Sequence, residues 1–198
     1  LSLIRNVSDR TAVMYLGEFV EVGDTDRIVE DPKHPYTEAL VDSVPVPDPT
    51  VERTPVDISG EPPSPKDPPS GCRFHTRCPA VIPPEEFEFA DGRFRELMNL
   101  RGDLADDSVR VDRARKQAEN PDDAESVAAA IKQRRFDGAF VDADAESIVD
   151  DALLALARGD DEAATERLAD AFTTPCELDE PELVELDDGR QVACHLYD

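Results

Sequence analysis

Four cysteines are the residues best suited to chemistry in this chain. Cys72 and Cys78 have five residues between them, Cys176 and Cys194 have seventeen, and 97 residues separate the two pairs. Turn formers accompany both pairs: Gly71 and Pro79 flank the first, Pro175 and Gly189 mark the second. Four thiolates can hold one soft metal centre, either tetrahedral zinc or an iron–sulfur cluster. Two disulfides and four unrelated thiols are the other readings. Disulfides fit poorly with a sequence showing no secretory leader, because cytosolic thiols stay reduced. Zinc pairs are usually about two to four residues apart, and neither pair here has that spacing. His75 and His195 lie beside cysteines as alternative ligands, though a supporting or surface role is simpler for each. Arg73 and Arg77 are placed to offset the negative charge of a thiolate-ligated centre.

Other catalytic signatures are missing from the sequence. It has no Gly-x-x-x-x-Gly-Lys-Ser/Thr phosphate loop, no Gly-x-Gly-x-x-Gly and no nucleophile motif with a placed histidine. The histidines are His34, His75 and His195, all in Pro- or Cys-rich surroundings. Acid pairs such as Glu85-Glu86 and Asp187-Asp188 read as solvated surface.

Four regions must position the cysteines. In residues 1–44, Leu1, Leu3, Ile4 and Val7 form the stripe of a short helix. Thr11 to Leu16 is a β-rich apolar run that suits a strand buried on both faces. Gly17-Glu18 turns the chain, and Phe19 to Val22 alternates apolar and acidic, as a strand with one wet face does. Thr25 to Glu30 and Tyr36 to Val44 read as helices, the second opened by Pro35. Residues 45–82 form a Pro-rich loop and extension, since 14 of the 17 prolines lie between Pro32 and Pro84. Residues 83–174 read as helical, with Arg110 to Ala118 and Asp123 to Phe136 as segments. Asp144 to Phe172 forms a hairpin, ended at Gly159 and recapped by Asp160. Residues 175–198 form a tail with a turn at Asp187 to Arg190. The fold class is α+β: a sheet-edge hairpin, short helices, a Pro-rich loop around a Cys-ligated centre, and a helical insertion.

Charge narrows the partners. The 198 residues hold 46 acids against 21 Lys and Arg, a formal net charge of -25. Such a surface repels phosphate backbones, so nucleic acid is excluded as a partner. No apolar run approaches the ~18 residues of a membrane span. The acids are interspersed with regular apolar positions, which favours a folded surface adapted to strong salt over a disordered chain.

The residues also resemble a known family. Asp9-Arg10-Thr11-Ala12-Val13-Met14-Tyr15-Leu16-Gly17-Glu18 looks like the strand and turn that follow the switch histidine of ABC-transporter ATPases. Asp31-Pro32-Lys33-His34-Pro35-Tyr36-Thr37-Glu38-Ala39-Leu40 resembles the His-Pro-Tyr signature of dipeptide and oligopeptide importer ATPases. Pro68-Pro69-Ser70-Gly71-Cys72-Arg73-Phe74-His75-Thr76-Arg77-Cys78-Pro79 and Gln191-Val192-Ala193-Cys194-His195 are similar to that family's C-terminal extension. The resemblance covers residues 1–82 and 175–198, and the composition points to a haloarchaeal member.

The resemblance implies a [4Fe–4S] cluster on Cys72, Cys78, Cys176 and Cys194, with zinc as the alternative. It departs from the family at Cys176, because residues 83–174 intervene as an insertion. It implies that the phosphate loop, the signature motif and the magnesium-handling acids belong upstream of Leu1. ATP and Mg would then bind only in the full subunit, and no residue here is catalytic. The implied whole is the ATP-binding subunit of a peptide importer, cytoplasmic and peripheral on the inner face of the membrane. It would work with membrane-spanning permease subunits and a second ATPase. The alternative is a stand-alone acidic iron–sulfur or zinc-binding interaction module without enzymatic activity.

Overall fold

The protein is described here as a computed structural model covering residues 2–44, 58 and 60–198. Leu1 and the prolines at 45, 47, 49 and 55 lie outside the described residues. Two compact units result: residues 1–82 with 175–198, and residues 83–174. Among the described residues no helix is long and apolar enough to cross a membrane.

The first unit is α+β. Helix α1 (Ser2–Val7) leads into strand β1 (Arg10–Tyr15), and β2 (Glu18–Asp24) returns antiparallel to it. Leu16 (φ 45°) and Gly17 (φ 91°) make the two-residue turn, whose left-handed backbone matches the twist of a hairpin. The tail then contributes β3 (Val184–Glu185) and β4 (Gln191–Val192), giving a four-stranded sheet in the order β1-β2-β4-β3. β1 is covered on one face only, against the expectation of both: Val13 and Tyr15 are buried while Met14 is half exposed. The predicted stripe of α1 is likewise open, with Leu3, Ile4 and Val7 exposed.

β2 does not keep one wet face, because a register shift opposite Val13 and Met14 interrupts its alternation. Phe19 is 50% exposed and Glu21 is 0% exposed. The carboxylate has partners that sequence proximity does not show. It accepts from the backbone N–H groups of Lys33 and His34 and lies 3.8 Å from Arg190 of the tail. Burial of a charge is tolerated when it is paired and hydrogen-bonded in this way.

Helix α2 (Thr25–Glu30) is capped by Asp24, whose side chain accepts from the N–H groups of Asp26 and Arg27. Helix α3 (Pro35–Asp42) has Pro35 in its first turn and His34 as its cap. The described part of the Pro-rich region has no regular element except a single 3-10 turn at His75–Arg77.

The second unit is helical: α4 (Arg93–Ala105), α5 (Val111–Arg115), α6 (Ala124–Arg135), α7 (Ala143–Ala157) and α8 (Asp161–Ala171). Aspartates at 123, 142 and 160 cap the last three, each accepting from N–H groups two or three residues on. Leu97, Leu100, Val127, Val149, Leu153, Leu168 and Phe172 are fully buried and form the core. Phe87 and Phe89 stack against Phe172 with ring centroids 5.2 and 6.0 Å away. Gly159 (φ 84°) ends α7 as expected, and Asp160 restarts the chain as α8.

Candidate metal centre

Three separate stretches of the first unit carry the cysteines to one place. The 3-10 turn sets the spacing within the first pair: His75 N–H donates to the Cys72 carbonyl (2.9 Å), and Cys78 N–H donates to the His75 carbonyl (3.3 Å). The first pair is then fastened to the tail. Cys72 N–H donates to the Cys176 carbonyl at 2.8 Å, and the Ser70 hydroxyl donates to the Glu177 carbonyl at 2.9 Å.

Gly71 makes this contact possible. Its φ is 60°, and a Cβ there would lie 2.5 Å from the Cys176 carbonyl oxygen. Both the left-handed backbone and the closeness exclude a side chain. Cys176 sits in the short helix α9 (Pro175–Leu178). Cys194 follows β4, which is held by the pairing of Glu21 with Val192 and by Ala193 N–H donating to the Val20 carbonyl (3.0 Å).

The four thiols influence one another. Burial pushes the Cys72 thiol up to about 11, and a charge on Cys176 pushes in the same direction. Burial also pushes Cys194 up to about 11, with Cys72 and Cys176 adding to it. Cys78 is raised further by burial, then by Cys72, Cys194 and Cys176. Three of the four are buried, and Cys72 is partly exposed. A recurring backbone feature opposes these rises. The N–H of Phe74 favours the Cys72 thiolate, that of Ala80 the Cys78 thiolate, and that of Leu196 the Cys194 thiolate. Each donor is two residues beyond its cysteine. These contacts offset only part of the effect of burial, so the net shift of each thiol is upward. Four cysteine sulfurs are the type of donor set a soft cation takes once the thiols are deprotonated. Among the described residues no group of three or more His, Cys, Asp or Glu is placed to hold a single metal ion.

The neighbouring side chains take other roles. His75 Nδ1 contacts the Cys72 carbonyl at 2.8 Å. His195 uses both ring nitrogens, Nδ1 toward Asp198 and Nε2 toward the Asp179 carbonyl (2.9 Å). Arg73 pairs with Glu18 at 2.7 Å and donates to the Leu16 carbonyl, so it braces the β1–β2 turn. Among the described residues the buried Nε of Arg77 has no hydrogen-bond partner.

A second polar cluster supports the tail, and residue spacing gave no sign of it. Arg190 is 2% exposed and donates to the Arg27 carbonyl at 3.3 Å and to the Asp31 carbonyl. Its guanidinium also pairs with Asp188 (2.6 Å) and Asp31 (3.0 Å). Gly23 allows its stem to lie across β2, since a Cβ there would meet Arg190 Cγ at 2.5 Å. The hydrogen bond from Arg190 holds the Asp188 carboxyl down at about 2. Asp188 is thus an anchor for Arg190, where a merely solvated acid was expected. The only local signal was the Asp-Gly-Arg turn; the partners Glu21 and Asp31 lie more than 150 residues away in the sequence.

His34, Tyr15, Tyr36 and Phe74 form an aromatic knot beside these elements. Tyr15 lies 4.7 Å from Tyr36 and 5.1 Å from Phe74, centroid to centroid, and His34 lies 5.9 Å from Phe74. The His-Pro-Tyr segment thereby joins the cysteine-bearing turn to the sheet.

Residues 20–83 match the family described as oligopeptide/dipeptide transporter, C-terminal region. Residues 91–189, half of the chain, match a domain of unknown function, DUF8228. That second match runs beyond the helical unit and takes in Cys176 and β3. Among curated relatives, the oligopeptide transport ATP-binding protein OppF of Salmonella typhimurium is 51% identical over 85 residues, 42% of this chain and 25% of OppF. The ATP-binding protein YkfD of Bacillus subtilis is 45% identical over 102 residues, 48% of this chain and 31% of YkfD. The dipeptide transport ATP-binding protein DppF of Escherichia coli is 46% identical over 78 residues, 39% of this chain and 23% of DppF. The chain spans less than a third of the length of each of these relatives.

Proposed function

The chain carries the C-terminal portion of a peptide ABC-transporter ATPase subunit and belongs, through residues 91–189, to the DUF8228 family; on that basis we propose that it closes the ATP-binding subunit of a peptide importer around a cysteine-held [4Fe–4S] centre. The observation that supports the centre is the hydrogen bond from Cys72 N–H to the Cys176 carbonyl at 2.8 Å, which brings the first cysteine stretch to the third cysteine. Cys72, Cys78, Cys176 and Cys194 would hold the cluster, which would supply a rigid cross-link among three stretches of chain. Cys72 and Cys78 come from the Pro-rich extension, Cys176 from the return of the chain after the helical unit, and Cys194 from the end of the sheet.

ATP and Mg belong to the full subunit, which couples hydrolysis to peptide uptake at the inner face of the membrane. Permease subunits and a second ATPase are its partners there. Residues 1–44 end the ATPase domain, 45–82 form the extension, 83–174 form an acidic insertion and 175–198 complete the centre.

Anaerobic purification followed by metal and sulfide analysis tests this reading. Iron and acid-labile sulfide are expected in equal amounts, and Cys176→Ser should lose most of both. Zinc without sulfide would replace the cluster by a zinc site. A metal-free protein would remove the centre altogether, and so would full iron retention in the variant.

A further inference from the structure

The helical unit holds 24 acids against 12 Lys and Arg. Within this negative surface, three arginines line one cavity of about 290 Å³. Its lining is Val109, Arg110, Ala114, Ile131, Arg134 and Arg135. Ile131, Arg134 and Arg135 are three and four residues apart on α6, so they share a face. Arg110 stands at the start of α5, beside Val109. Ala114 and Ile131 are 2% and 3% exposed and form an apolar floor.

Ordinary structural roles account for part of this arrangement. Cations in the last turn of α6 complement the helix dipole. Arg135 pairs with Asp103, and Arg134 reaches Gln117 Oε1 at 3.4 Å. Neither fact explains Arg110. Among the described residues its guanidinium meets no carboxylate, although acids outnumber bases two to one in the unit. It lines the same floor as Arg134, whose side chain reaches a neutral amide, and both residues are exposed.

We propose that this cavity binds a small aliphatic carboxylate. Guanidinium forks match a carboxylate's two oxygens in one plane, and the apolar floor matches a short hydrocarbon body. Inorganic phosphate, polar on every side, would leave that floor without a partner. The cavity is also at the small end for ligand pockets, which argues against a nucleotide. Two sources share the chemistry: a free branched-chain acid, and the C-terminus of a short apolar peptide. The second source would link the helical unit to the transported class; binding itself does not depend on the transport reading.

The test is an NMR titration of the full chain with 4-methylpentanoate, leucyl-leucine, 4-methylpentanamide and phosphate. Saturable shifts are expected at Val109, Ala114 and Ile131 with one or both carboxylates, and the tighter ligand identifies the source. Arg110→Gln and Arg134→Gln should each weaken binding by about tenfold, the loss of one charged hydrogen bond. The neutral amide should not bind. The proposal is overturned if neither carboxylate shifts these residues, if the amide binds as well as the acid, if phosphate binds more tightly, or if both arginine variants bind normally. The result is independent of iron analysis, so the cavity and the metal centre can fail separately.

Discussion

His34 is 1% exposed, and its Nδ1 accepts the Tyr36 N–H at 3.0 Å to cap α3. That role needs a neutral ring with a lone pair on Nδ1. Burial lowers its pKa from 6.5 to about 4, and among the described residues Nε2 has no partner to favour a proton. The sign of the linkage follows from this lowering. Above pH 6.5 neither the folded nor the unfolded chain protonates this residue. Between pH 6.5 and about 4 the unfolded chain takes a proton that the folded chain refuses, so stability falls as pH falls. The full effect is on the order of 3 kcal/mol. His34→Asn keeps an acceptor at the cap and removes the titration. Denaturation measured at several pH values should show a flatter loss for the variant across this window. An unchanged difference between wild type and variant at every pH would remove the titration argument.

At the scale of elements, β2, the His34 segment and the tail share one buried carboxylate. Glu21 accepts two backbone N–H groups and faces Arg190, which also draws in Asp31 and Asp188. Glu21→Ala would strand those donors and loosen β4, the strand that delivers Cys194. We expect a loss of about 3 kcal/mol, the range for breaking a buried pair, together with reduced iron content. Glu21→Ala with wild-type stability in denaturant titration would show that Arg190 is held by Asp31 and Asp188 alone.

The same elements show what was legible in the sequence. The hairpin, α2, α3 and the pair α7–α8 were readable, because apolar spacing, Pro35, Gly159 and Asp160 act locally. The approach of Cys72 to Cys176 across 103 residues has no local signal, and resemblance to a family was the only pointer to it. The different exposure of Phe19 and Glu21 was not readable, since alternation puts both on one face and only the register shift, which leaves Val20 without a partner on β1, separates them. Strands β3 and β4 were also hidden: two residues have no periodicity, and their stability comes from β2, far upstream.

At the scale of the whole molecule, the helical unit lies in sequence between two halves of the cysteine set, yet its core is its own. Residues 83–174 bury their own apolar positions, while Cys72 N–H and the Cys176 carbonyl, on either side of that stretch, meet at 2.8 Å. The unit is thus looped out between two points that the first unit already holds together. Loop-closure entropy grows only slowly with length. Shortening the 103 residues between Cys72 and Cys176 to about 20 therefore changes the closure cost by only about 1.5 kcal/mol, in favour of the shorter chain. A chain in which residues 86–172 are replaced by a short Gly/Ser linker should keep its iron and sulfide. Its calorimetric trace should lose one transition and retain the other near its original temperature. The match of DUF8228 through Cys176 and β3 supplies the opposing expectation, that the helices and the third cysteine act as one piece. Loss of the centre on excision, with Cys176 still present, would favour that view over independent units.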